Sequence, residues 1–140
     1  MQKEGGDIQF KSDTDYNVRE LSPLPLAFVG DGVFDLLVRE YLIGKGNCPV
    51  KRLHARAVEM VNCKAQAGFL EKLQPILTTE EKEICLRGRN AHVGHIPKHA
   101  DIADYHHATA LECLFGSLYL TGQRERIRQL FEKILADLEV

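Results

Sequence analysis

From Leu24 onward, apolar residues recur at helical spacing with almost no interruption, and this restricts the fold more than any other property of the chain. Leu24, Ala27, Phe28, Asp31, Phe34, Asp35 and Val38 fall on one face of a first helix. GKGNCPV, from Gly44, carries two glycines and a proline and turns the chain. KRLHARAVEMVNCKAQAGFLEKL, residues 51 to 73, is helical again, with a division expected at Asn62–Lys64 or at Gly68. Thr78 followed three residues later by Glu81 forms a capping-box signal for a helix running to about Arg89. AHVGHIPKHAD has no helical period and reads as a loop. A further helix is predicted from Asp104 to Leu120, broken at Thr121-Gly122. The last places Ile127, Leu130, Phe131, Ile134, Leu135 and Leu138 on one stripe. No alternating pattern competes, so the expected fold class is all-α.

Composition narrows the class of function. The 140 residues suit one domain with a real core. Residues 1 to 20 are polar and charged and read as a flexible N-terminal leader, leaving 21 to 140 as the folded domain. No apolar run approaches the roughly 20 residues of a membrane helix, and no signal peptide opens the chain. Cys48, Cys63, Cys85 and Cys113 form no CxxC pair and read as free, mostly buried thiols in a reducing cytoplasm. A formal net charge of −2 means that nucleic-acid binding must rest on local patches.

Two acids stand where core helices want leucine. Asp31 lies three residues from both Phe28 and Phe34, and Glu112 sits in the face Tyr105, Ala108, Thr109, Phe115, Gly116, Tyr119. A buried carboxylate without a partner is costly and takes up a proton. Small residues frame both acids, Gly30 and Gly32 in one helix and Ala108, Gly116 and Ser117 in the other, so the helices can approach and the carboxylates converge. Convergent carboxylates repel unless a proton or cation lies between them, and Mg²⁺ or Mn²⁺ suits such a pair. The plainer reading is a rim acid, or one paired with an arginine such as Arg39. Spacing alone leaves both open.

LAFVGDGVFDLLVREYLI, residues 26 to 43, resembles the signature helix of the ribonuclease III family, of the form LEFLGDxVL. HATALECLFGSLYL resembles that family's second catalytic helix, DxFEALIGAIYL. RGRNA followed by a Gly/Pro loop resembles its short branch, Mini-ribonuclease III. The resemblance covers about Leu21 to Leu138. It implies an all-α endonuclease domain, homodimeric, that cuts double-stranded RNA with Mg²⁺, Mn²⁺ being a possible substitute. Asp31 and Glu112 match the metal-binding catalytic residues. Hydroxide from a coordinated water would attack in line, leaving 5′-phosphate and 3′-hydroxyl ends. The implied substrate is precursor 23S ribosomal RNA, with a ribosomal protein or precursor particle as a further partner. Ala27 and Thr109 stand where full-length members carry two further carboxylates. The short branch shows the same gaps, and they leave one or two metal ions open. Asp35 is read as a helix-face salt bridge rather than a second partner of the site.

Residues 84 to 100, ICLRGRNAHVGHIPKHA, contain no acid. Arg87, Arg89 and Lys98 are expected to meet phosphates and Asn90 a sugar hydroxyl or base edge. KRLHAR at 51 to 56 is a second basic cluster, which a solvated surface explains better than RNA contact does. A separate double-stranded-RNA-binding domain needs on the order of 65 residues, so none is expected after the nuclease part. His92, His95, His99, His106 and His107 invite a zinc reading, but Gly94 and Pro97 interrupt any helix that would align the loop histidines. Protonation of these histidines is expected to strengthen RNA binding. Two other classes stay open: a catalytically silent RNA-binding module, and a helical dimerisation module without RNA.

Overall fold

The computed structural model describes residues 16–92, 94–136 and 138. Among them there are six α-helices and no strand: α1 (Pro23–Gly44), α2 (Val50–Val61), α3 (Cys63–Leu73), α4 (Thr79–Arg89), α5 (Ile102–Leu120) and α6 (Arg124–Leu135). The all-α expectation holds.

Local chemistry sets the helix ends. Pro23 and Pro25 occupy the first turn of α1, where a missing N–H costs nothing. Asn62 divides the second helical region: its side-chain oxygen accepts from the Ala65 amide at 2.8 Å, and its Nδ2 donates to the Val58 carbonyl at 2.9 Å. One residue thereby caps α3 and closes α2. The Thr78–Glu81 capping box forms as expected, with reciprocal hydrogen bonds of 3.0 and 3.1 Å. Asp101, accepting from the Asp104 amide, starts α5 at Ile102, two residues earlier than the sequence suggested.

The centre of the molecule is α5, which packs against α1, α3, α4 and α6. Ala110, Leu111, Cys113, Leu114 and Phe115 are wholly buried, so this helix is covered on all sides rather than along one stripe. Phe34 anchors the core, its ring lying 5.5 Å from Phe115, 5.9 Å from Phe131 and 6.1 Å from Phe69. The α6 stripe packs as expected, with Ile127, Leu130, Phe131 and Ile134 buried.

One expected face is corrected. On α1 the buried residues are Leu26, Ala27, Gly30, Phe34, Val38 and Leu42, whereas Phe28 is 82% exposed and Leu24 40%. The helix is rotated so that Gly30, and not Asp31, meets α5. Of the leader, residues 1 to 15 lie outside the described residues. Tyr16 and Val18 pack against the Leu26–Leu120 cluster, and Val18–Glu20 forms a 3-10 turn. All four cysteines are free; Cys85 and Cys113 are buried and Cys48 and Cys63 half-buried.

Candidate active site

Two glycines bring α1 and α5 into backbone contact. A Cβ on Gly30 would lie 1.7 Å from the Glu112 carbonyl oxygen, and one on Gly116 would lie 2.1 Å from the Leu26 carbonyl oxygen. No side chain larger than hydrogen fits at either point. Gly32 is different, since a Cβ there meets nothing within 4 Å.

This contact sets the two acids side by side. Asp31 is exposed at the edge of α1 and Glu112 is half-buried on α5. They line one cavity of about 320 Å³ together with Ala27, Cys63, Gln66 and Thr109. Burial above all, then the neighbouring Asp31 charge and the hydrogen bond the two carboxyls share, push Glu112 up to about 8 from its ordinary 4.5. The neighbouring Gln66 side chain pulls in the other direction. Asp35 belongs elsewhere: it accepts from Arg39 Nε at 3.1 Å, as a helix-face pair. Arg39 is thus spent on Asp35 rather than Asp31.

The positions lacking a carboxylate are structurally plain. Ala27 lines the cavity, and the Thr109 hydroxyl donates to the Tyr105 carbonyl at 3.0 Å within its own helix. Among the described residues no three His, Cys, Asp or Glu side chains converge as a metal-binding group. The oxygen donors here are the two carboxylates, and Gln66, which lines the same cavity, has a buried Oε1 with no hydrogen-bond partner among the described residues. Hard oxygen donors of this kind fit a hydrated divalent cation of the Mg²⁺ type, which keeps several waters.

Sequence reasoning missed Gln66. Its signal was faint but present: in AQAGFLEKL it shares the buried stripe of Leu70 and Leu73.

The basic residues divide. Arg89 and Asn90 are exposed at the C-terminal end of α4 and line an open cavity of about 480 Å³ with His92, His106 and His107. Lys98 is exposed in the following loop. Arg87 is placed differently. Half-buried, it donates to the Val18 carbonyl at 3.4 Å and to the Leu21 carbonyl, tying the chain before α1 onto α4. Those bonds hold the Arg87 guanidinium against the segment that precedes α1.

Residues 24–123 match the Ribonuclease III domain family. The chain belongs to the ribonuclease III family. It is 47% identical over 118 residues to Mini-ribonuclease 3 of Brevibacillus brevis, covering 84% of this chain and 88% of that protein. It is 41% identical over 119 residues to Mini-ribonuclease 3 of a Thermoanaerobacter species, covering 85% and 84%. A crystal structure of a Fusobacterium nucleatum protein superposes with a TM-score of 0.79 at 30% identity, covering 87% of this chain and 98% of that one. Within the ribonuclease III family this is the short, Mini-ribonuclease III type of chain, and its activity class is that of an endoribonuclease. No described helix is long and apolar enough to cross a membrane.

Proposed function

We propose that this chain is a cytoplasmic, Mg²⁺-dependent endoribonuclease that cuts double-stranded RNA at the Asp31–Glu112 pair, acting in maturation of precursor 23S ribosomal RNA. The observation that carries this reading is the carboxylate pair itself, brought into one cavity where Gly30 and Gly116 let α1 and α5 touch, with Glu112 pushed up to about 8 by burial and by Asp31. Folding gains nothing from two acids pressed together in this way. A site that binds a cation does gain, because the charge the pair cannot easily hold alone becomes the charge the cation requires.

Asp31 and Glu112 would hold the metal, Mg²⁺ or Mn²⁺, as its carboxylate ligands. When bound, the cation supplies Lewis acidity toward the phosphodiester and makes hydroxide accessible near neutral pH. Glu112 must release its proton for this, so the pair exchanges a proton for the cation. Gly30 and Gly116 hold the spacing between the two side chains against thermal drift. Asp31, the more exposed of the two, would be the more accessible to a phosphate backbone. Arg89, Asn90 and Lys98 would grip phosphates and sugar edges, without base readout, so binding should follow RNA shape. Arg87 contributes by fixing the segment before α1. The products would carry 5′-phosphate and 3′-hydroxyl ends.

Action as a homodimer is supported by α1. Phe28, Leu36 and Ile43 form an exposed apolar row, at 82%, 67% and 61% exposure, with open space over Gly32 between them. A second copy packed along this row would bring a second carboxylate pair to the opposite strand.

The decisive experiment is cleavage of a long double-stranded RNA by the wild type and by Asp31→Asn and Glu112→Gln, with Mg²⁺ and with EDTA. Mg²⁺-dependent fragments from the wild type alone support the reading. Whole RNA in every lane with a salt-sensitive gel shift would instead identify a binding module. Sizing Phe28→Asp against the wild type by sedimentation tests the dimer: the variant should run as a monomer.

A further inference from the structure

Gln66 is 2% exposed on α3 and sits in the cavity of Asp31 and Glu112. Its Nε2 donates to the Val61 carbonyl at 3.1 Å. That bond fixes which way the amide points, since a flipped amide would set oxygen against oxygen. The side chain lines the same cavity as Glu112 and lies near enough to hold that carboxyl down. Its Oε1 is buried and has no partner among the described residues. For folding alone this is a poor choice: a buried acceptor left unpaired is destabilising, and Leu70 and Leu73, its neighbours on the same stripe, show what the position would otherwise hold.

Resting on the metal-site reading above, we propose that Gln66 is a positioning residue of the active site: its amide orients the Glu112 carboxylate, and its Oε1 accepts a hydrogen bond from the hydration shell of the divalent cation. This gives α3 a direct role in the site. It also accounts for how two carboxylates suffice where Ala27 and Thr109 offer no further acid. The cation keeps more of its water, and a neutral acceptor steadies that water without adding charge to a pair that already repels. Partners that orient metal ligands in this way affect metal affinity by about tenfold or more when removed.

The test is Mn²⁺ binding followed by electron paramagnetic resonance, together with thermal melts in EDTA. The proteins are the wild type, Gln66→Met, Gln66→Glu and Asp31→Asn. Met keeps the volume and removes the hydrogen bonds. The expected result is about tenfold weaker Mn²⁺ binding by Gln66→Met, with an EDTA melting temperature close to or above that of the wild type. Gln66→Glu, which keeps an oxygen at this point, should bind Mn²⁺ at alkaline pH at least as tightly as the wild type. Wild-type affinity in Gln66→Met, with affinity lost in Asp31→Asn, would overturn the role of Gln66 and leave the metal site standing. Absence of binding by the wild type would overturn both readings. If Gln66→Met fails to melt cooperatively, the Glu variant decides, and binding weaker than wild type counts against the proposal.

Discussion

The Glu112 carbonyl oxygen lies where the Cβ of any other residue at position 30 would have to be, 1.7 Å away. Gly30 is therefore the point at which the helix crossing, and with it the distance between the two acids, is set. Gly30→Ala should destabilise the protein by about 3 kcal/mol or more, because backbone and not a flexible side chain must move. Gly32→Ala, with open space around it, should gain about 1 kcal/mol of helix propensity in the monomer. Urea unfolding of both variants in EDTA checks the contrast. Equal effects would mean that helix propensity, and not the crossing, governs this stretch.

Metal-free stability should depend on pH through Glu112. Its folded value is raised to about 8 from 4.5, so between these values the folded state holds a proton that the unfolded state has released. The contribution of Glu112 is therefore fully present below 4.5, falls as pH rises, and is lost above about 8. Mg²⁺ competes with that proton, so stabilisation by Mg²⁺ should increase over the same interval. Melting curves with EDTA and with Mg²⁺ across this range measure both slopes. Glu112→Gln should flatten both.

A second pH effect has the opposite sign. Glu81 accepts from Arg126 Nε at 2.8 Å and from its terminal nitrogen at 2.9 Å, joining α4 to α6. Burial by itself would raise Glu81, but the Arg126 hydrogen bonds and charge and the Thr78 amide outweigh it and hold the carboxyl below its ordinary 4.5. This contribution is present above 4.5 and is lost as pH falls through the lowered value. Arg126→Met should cost about 2 kcal/mol at neutral pH, since it strands a buried carboxylate. The loss should shrink in acid. A pH series of urea midpoints for the two proteins tests this.

RNA binding should separate the arginines of RGRNA. Arg89→Ala and Lys98→Ala are each expected to lower the slope of log affinity against log salt by about one, as a lost phosphate contact does. Arg87→Met should leave that slope unchanged and lower thermal stability instead, because its partners are the Val18 and Leu21 carbonyls. Fluorescence anisotropy with double-stranded RNA, in the Asp31→Asn background, reads the slopes without cleavage.

The sequence by itself determined the helices, most of their ends and the two acids. Periodicity, proline placement, the Thr78–Glu81 box and the Asn62 break all act between residues within about a turn of one another, so a single strand of text contains both partners. The acids were conspicuous because a carboxylate on an apolar face contradicts its surroundings. Tertiary structure alone decided how those faces meet. Helical spacing defines a stripe but not its rotation, which followed from the backbone contact at Gly30 and Gly116 and left Phe28 outside and Asp31 at the edge. Arg87 looked like its neighbour Arg89 until the chain before α1 folded back across it. Gln66 came to lie in one cavity with Glu112 only when α3 packed into place. Arg126 met Glu81 across 45 positions of sequence. Each of these depends on groups far apart along the chain that only packing brings within hydrogen-bond range, where burial rather than residue type sets their charge and their use.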